Sequence, residues 1–495
     1  MPEAVLAIDQ GTTGSTALVF GRDGRVLARA YSELTQHYPE PGHVEQDPEE
    51  IWRVTLRVMA EALAGAGLAK RELRAIGITN QRETTLVWDR RSGAPIHPAI
   101  VWQSRQTAPI CAALRAAGHE PFIRQRTGLV LDAYFSGTKL RFILDRHPDA
   151  QRRAEAGELM FGTIDTWLLY RLTGGGVHAT DPTNASRTLL FDIHAGRWDP
   201  GLMGILGVPA PMLPEVRPSA SVFGECVPNA ELPGGVPVTG IAGDQQAALF
   251  GQGCWSPGMA KNTYGTGAFL LMNTGNEHRI SAGGLLTTVA CDGLGCPAYA
   301  LEGSIFVAGA AVQWLRDELQ FVSQASETEE IALSVPDTAG VYVVPAFAGL
   351  GAPYWDMDAR GAIVGLTRGA NRRHIVRATL ESLAYQTRDV LDVMDRDSGT
   401  RIHELRVDGG AAANDFLMQF QADLLGVTVE RPALVETTAA GAAYLAFIGA
   451  GLYGGAEELA GVRRIERRFE PRMGEAERDR LYAGWQRAVE RVRGA

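Results

Sequence analysis

Cysteine is scarce in this 495-residue sequence, with five residues at positions 111, 226, 254, 291 and 296. So sparse and odd a set reads as reduced thiols of a cytosolic protein, which makes the cytoplasm the expected compartment. Cys291 and Cys296 lie too far apart for a zinc-ribbon knuckle and have no second pair, so no metal is expected there. Lys and Arg never cluster, and 47 of them face 57 acidic residues for a formal charge of −10. A phosphate backbone finds no basic face on such a chain, which excludes nucleic acid as a partner. The opening Met1-Pro-Glu-Ala lacks the basic stretch and cleavage site of a secretory leader. One uncharged run, 437–456, has about the span of a bilayer helix, but it is rich in Gly, Ala and Thr and few of its residues are large. It is expected to be a buried helix packed closely by its neighbours, with no integral membrane association.

What is present is the balance of a globular protein, 45% apolar and 21% charged residues, in a chain too long for one core. Val5–Ile8 and Thr16–Phe20 are apolar runs joined by Gly and Thr residues, which reads as a hairpin, and Val26-Leu-Ala as a third strand. Asp47-Pro-Glu-Glu is a helix start: a carboxylate cap, Pro at the first position, then acids at the positive end of the dipole. Ala75–Thr79 is a buried strand. Ala260–Tyr264, Gly265-Thr-Gly267 and Ala268–Met272 repeat the strand, turn, strand pattern, which predicts a duplicated architecture with lobes at 1–248 and 249–495. The Pro- and Gly-rich stretch 209–235 reads as surface loops. His403–Val407 is a strand, and Phe416, Phe420 and Leu424 recur at helical spacing.

Three turns carry candidate chemistry. Gly11–Gly14, Gly265–Gly267 and Gly409-Gly410 each follow a strand and offer bare backbone N–H groups, as a polyphosphate requires. Asp9, at a strand end beside the first turn, is suited to anchor Mg²⁺ or to cap the turn. Asp244, after the bland run Gly240–Gly243, is either a helix cap or a general base beside a cleft, and its neighbours do not decide between them. Arg82-Glu83 could bind a small polyol or form an ordinary surface ion pair. Trp102 and Phe269, taken singly, read as core or as ligand wall.

Taken together, Asp9-Gln-Gly-Thr-Thr13, Asn80-Gln-Arg-Glu-Thr84, Ala99-Ile-Val-Trp-Gln103, Asp132–Lys139, Gly243–Gly251 and Asn262–Gly267 resemble the FGGY carbohydrate kinases of the actin, Hsp70 and sugar-kinase superfamily, and among them those that phosphorylate glycerol. The resemblance covers nearly the whole chain. It implies an α/β fold of two actin-like (ribonuclease H-like) lobes, each a mixed sheet flanked by helices, with ATP and glycerol meeting in a deep cleft between them. On the matching positions Arg82, Glu83, Tyr134, Asp244 and Gln245 would hold the polyol hydroxyls, with Trp102 and Phe269 against its carbon chain. Thr12, Thr13 and Gly14 would hold phosphates, Thr266, Gly309 and Gln313 the nucleotide on the second lobe, and Gly410, Ala411 and Asn414 the adenosine side. Asp244 would be the base, Asp9 and Asp244 the Mg²⁺ carboxylates, and a homo-oligomer the expected assembly.

The chain departs from the family pattern at three places. At the phosphate turn Gly14-Ser15-Thr16 stands where familiar bacterial members carry Ser-Ser-Arg, so the Arg that can help hold ADP phosphate is absent. Pro233-Gly-Gly-Val-Pro237 has no Arg where some members bind fructose 1,6-bisphosphate, so inhibition by it is expected to be weak or absent. Pro218–Gly224 lacks the His that some Gram-positive relatives phosphorylate. Two rival readings remain at this stage: a kinase of a pentulose or hexulose, and an actin- or chaperone-type ATPase.

Overall fold

The computed structural model describes residues 3–68, 72–228, 232, 234–291 and 298–493. In the first half of the chain, β1 (Ala4–Gln10), β2 (Gly14–Gly21) and β3 (Val26–Glu33) form a meander, followed by α1 (Pro48–Ala66) and β4 (Leu73–Asn80). Later come β5 (Ala220–Glu225), β6 (Pro237–Gly243) and α2 (Asp244–Gly251). The six strands make one mixed sheet in the order β5-β6-β4-β1-β2-β3, with β1, β4 and β6 mutually parallel. Helix α1 begins as its sequence requires: the Asp47 carboxylate accepts the Glu49 N–H at 2.9 Å, and Gly67 ends the helix in the left-handed region. Such a cap is worth about 1 kcal/mol.

The second half repeats the plan. It runs through β7 (Met259–Tyr264), β8 (Ala268–Gly275), β9 (Leu286–Ala290), β10 (Ala298–Ile305) and α3 (Gly309–Asp317). Then follow α4 (Arg372–Ser398), β11 (Glu404–Gly409), α5 (Asp415–Leu425), β12 (Thr428–Pro432), α6 (Thr437–Gly449) and β13 (Ile465–Phe469). Its sheet order is β9-β10-β8-β7-β11-β12-β13, with β7, β11 and β12 parallel. The run β10-β8-β7-β11-β12 therefore has the order and strand directions of β3-β2-β1-β4-β6, so each lobe is a mixed sheet flanked by helices.

Helix α6 accounts for the uncharged run. It is apolar all round and packs on the first sheet and on α2, in one core with Val5, Ala7, Phe20 and Ala242. A helix without a polar face has to be buried. Gly441 is needed there, because a Cβ would lie 1.9 Å from the Ala247 carbonyl. Among the described residues no helix is long and apolar enough to cross a membrane. A helix from beyond residue 400 thus covers the first sheet, so a division at residue 248 sorts the large-sheet strands by lobe but not the helices.

One expectation fails here. Within 209–235, read as surface loops, Ala220–Glu225 is an edge strand paired antiparallel to β6. Its pattern is the half-buried one of an edge: Phe223 is buried while Val222 faces out. Pro and Gly on both sides masked a short strand that an edge position tolerates. Pro233 and Cys296 lie outside the described residues.

Candidate active site

The chain leaves β4 through Gln81 into a tight turn at Glu83, whose φ of 60° places a non-glycine residue in the left-handed region. The turn is closed by the Thr84 N–H on the Arg82 carbonyl at 2.8 Å. Three donors hold the Glu83 carbonyl: Ser136 Oγ at 3.0 Å, Thr85 Oγ1 at 3.0 Å and Lys139 Nζ at 3.1 Å. Backbone in this region costs of order 1–3 kcal/mol and persists where surrounding contacts over-determine it, commonly at functional sites. Lys139 is fully buried, and burial pushes its ammonium down to about 7.

Arg82 and Glu83 are no surface pair; both are buried, and their mutual contact is a loose 3.9 Å. Their partners come from far along the chain. Arg187 Nε donates to Glu83 Oε1 at 2.6 Å, and Arg82 Nε lies 3.1 Å from Asp244 Oδ1. The two η nitrogens of Arg82 grip Glu302 of β10 at 2.6 and 3.1 Å, and Arg187 Nη2 adds a third contact at 3.1 Å. Burial alone would raise both glutamates. Glu302, with three guanidinium contacts, is instead held down to about 2, whereas Glu83, with one close contact, stays above the ordinary carboxylate value.

Asp244 is the first residue of α2; the cap position is Gly243, which has no side chain to cap with. The Asp244 side chain is 31% exposed, and Oδ1 also accepts the Gln245 N–H at 2.7 Å. Gln245 Oε1 accepts from Lys261 Nζ at 2.5 Å. Tyr134 stands edge-on to Trp102, with ring centroids 5.5 Å apart, and the Arg187 guanidinium lies over its ring. Trp102 Nε1 donates to Thr12 Oγ1 at 2.8 Å, tying the aromatic wall to the first Gly/Thr turn. Gln46 Nε2 and Leu34 N–H hold the carbonyls of Thr12 and Thr13. Strand pairing puts Lys261, Thr263, Phe269 and Glu302 on one face of the second sheet, the face carrying Glu302 to Arg82. Phe269 and Trp102 are both half-buried.

Asp9 ends β1. Burial, then the nearby charges of Asp244 and Glu436, push its carboxyl up to about 7. Two carboxylates that repel each other make an oxygen-only donor set suited to a hard dication. Among the described residues no group of three or more His, Cys, Asp or Glu is placed to cage an ion. Mg²⁺ takes one or two carboxylates plus waters and substrate phosphates, which Asp9 and Asp244 could supply in part.

Beyond the second turn, Thr266, Gly309, Gln313, Gly410, Ala411 and Asn414 line one cavity of about 460 Å³, together with Thr328 and Glu329. Its glycines differ in kind. At Gly309 a Cβ would sit 2.5 Å from the Gly265 carbonyl, so the fold itself demands glycine. At Gly410, a lining residue of the cavity, no atom beyond its own turn and chain neighbours lies within 4 Å of a Cβ. Thus Thr12, Thr13 and Gly14 sit on the first-lobe turn, the six others line the cavity, Glu83 and Asp244 contact Arg82, and Trp102 stands against Tyr134. Sequence reasoning missed Glu302, Arg187 and Lys139.

The chain matches the FGGY family of carbohydrate kinases, N-terminal domain, over residues 4–251, and the C-terminal domain over 260–450. It is 60% identical over 489 residues to a glycerol kinase of Carboxydothermus hydrogenoformans, covering 99% of this chain and 98% of that one. To a glycerol kinase of Symbiobacterium thermophilum it is 61% identical over 491 residues, with 99% and 98% covered. The structure superposes on that of Plasmodium falciparum glycerol kinase with ADP at a TM-score of 0.94 and 35% identity, covering 100% of this chain and 99% of the other.

Proposed function

We infer that this chain, which belongs to the FGGY family of carbohydrate kinases, transfers the γ-phosphoryl group of ATP to glycerol, giving sn-glycerol 3-phosphate and ADP. The observation that carries the reading is Asp244, a half-exposed carboxylate with one oxygen fixed by Arg82 and the other bonded by no described residue. In this reading the free oxygen takes the proton of a terminal hydroxyl as that oxygen attacks the γ-phosphorus in line. Arg82, Glu83, Tyr134 and Gln245 orient the hydroxyls, while Trp102 and Phe269 meet the C–H edge of glycerol. Burial keeps the Tyr134 hydroxyl protonated, so it remains a donor.

Phosphoryl transfer depends mostly on alignment and charge neutralisation. Thr12, Thr13 and Gly14 hold phosphates from the first lobe, and Thr266, Gly309, Gln313, Gly410, Ala411 and Asn414 hold the nucleotide in the cavity. Asp9 and Asp244 would hold Mg²⁺, directly or through water, and the bound ion would neutralise phosphate charge. The same reading carries lobes at 1–248 and 249–495, a cytoplasmic homo-oligomer (dimer or tetramer) and weak or absent inhibition by fructose 1,6-bisphosphate. Light scattering checks the assembly, and dose-dependent inhibition at physiological concentrations would count against the last point.

The deciding assay is steady-state phosphorylation of glycerol against dihydroxyacetone, xylulose and gluconate with Mg-ATP. Glycerol is expected to give the highest kcat/KM. A preference for a ketose would reject the substrate while leaving the kinase in place.

A further inference from the structure

The proposed polyol residues of the charged cluster all belong to the first lobe, yet the cluster is completed by a carboxylate of the second. Glu302 lies in β10 among Ala300, Leu301 and Ile305, and its side chain is fully buried. An isolated charge there would be prohibitive, so its contacts define what it does. It takes both η nitrogens of Arg82 in a fork and the Nη2 of Arg187. Such a bidentate pairing fixes the plane of a guanidinium as well as its place. With both η nitrogens of Arg82 engaged, Nε is the group that meets Asp244 Oδ1. The second arginine leads to the same site: Arg187 holds Glu83 Oε1 and lies over the Tyr134 ring.

We propose that Glu302 is a positioning residue of the acceptor site, supplied by the second lobe, which locks the Arg82 fork so that Asp244 keeps one oxygen free for the substrate hydroxyl. Without it the η nitrogens of Arg82 can turn to Asp244 and occupy both oxygens. Because the carboxylate arrives on the other lobe's sheet, the acceptor site is complete only with the lobes together, where water is excluded. The role rests on the polyol reading above.

The test is Glu302→Gln, which keeps size and removes charge, with Glu302→Asp, which keeps charge one methylene shorter. The wild type is assayed first, since no turnover of glycerol would reject the polyol reading itself. For Glu302→Gln, kcat/KM for glycerol should fall on the order of 10²-fold, with KM for glycerol up about 10-fold. ADP binding by calorimetry should stay within about 2-fold, because Glu302 is no part of the nucleotide cavity. Glu302→Asp should fall between the two. Kinetic constants within about 2-fold of wild type would overturn the proposal, as would equal losses toward glycerol and ADP tracking a lowered Tm. Should Glu302→Gln fail to fold, Glu302→Asp decides: a raised KM for glycerol with unchanged ADP binding supports the role, and an unchanged KM overturns it.

Discussion

On the proposed acceptor side of the cleft, Arg82, Glu83, Arg187 and Glu302 are buried and paired with one another, and Asp244 is the member of this charged cluster that reaches solvent. The nucleotide-side cavity has Gly265, Gly309, Gly410, Ala411 and Ala413 among its lining residues. On the proposed reading the first wall works through paired, buried side-chain charge, and the second, where Arg316 and Glu329 are the charged lining residues, largely through backbone and the room that small residues leave. The difference follows from the ligands assigned to each. A small neutral polyol is oriented by directional groups in a dry pocket, whereas a nucleotide brings its own charge and needs bare N–H groups and space. Changes of charge should therefore damage turnover on the first wall, and changes of volume should damage nucleotide affinity on the second.

The largest effect should come from Asp244→Asn. The amide can still meet Arg82, so glycerol should bind, but it cannot accept a proton from the hydroxyl. We expect kcat to fall on the order of 10²-fold or more, with KM for glycerol changed far less, in steady-state assays. Near-normal turnover would leave Asp244 as no more than an acid in the first turn of a helix, and the contrast between the walls would collapse.

Lys139 tests whether the strained turn at Glu83 is held for function. Lys139→Met removes the donor on the Glu83 and Tyr134 carbonyls while keeping apolar bulk. KM for glycerol should rise about 10-fold, with a smaller loss in kcat. The substitution also has a pH signature. Burial lowers the folded-state value of Lys139 to about 7, well below that of an unfolded lysine. Between those values the unfolded chain binds more protons, so stability should rise as pH increases from about 7 upward. Melting temperatures at about pH 6 and about pH 9 should show a smaller rise in Lys139→Met than in wild type. Lys261, pushed down to about 8, adds a slope of the same sign, while the carboxyls of Asp9, Asp165, Glu381 and Asp389, pushed up to about 7, add one of opposite sign between about pH 6 and 7, so the difference between the two proteins is the readout. An unchanged slope would remove Lys139 as its source.

The two walls were also unequally legible in the sequence. Both hairpins, the strand before Arg82, the Gly409-Gly410 turn and the helix after it follow from period, capping and turn chemistry, because each is a local event. The acceptor wall is not local. Arg82 meets Glu302 across 220 residues, and α6 reaches back to the first sheet from beyond residue 400, so no window of sequence contains either contact. A faint signal for Glu302 existed: Ala298–Ile305 is an apolar strand with a single acid inside, and such an acid needs a buried cation. Which cation, only the fold could say. Residue types at the polyol and nucleotide positions were read from family resemblance, since Arg82-Glu83 alone favoured a surface pair.

The nucleotide wall offers the gentlest test, and the cleanest control. Gly410→Ala adds a methyl group that meets no atom within 4 Å beyond its own turn and chain neighbours, at a residue that lines the cavity. Gly410 has no left-handed φ to protect, so the fold loses nothing and should gain slightly from the stiffer unfolded-state backbone. The protein should melt within about 1–2 °C of wild type while KM for ATP rises about 5-fold and KM for glycerol holds. Gly309→Ala is the counterpart, because its methyl group would press on the Gly265 carbonyl at 2.5 Å. There the melting temperature should fall as well as the affinity. If Gly410→Ala bound ATP as well as wild type, glycine at that position would not be a measure of how closely the nucleotide approaches the backbone. The second wall would then have to hold its ligand through side chains such as Gln313 and Asn414 instead.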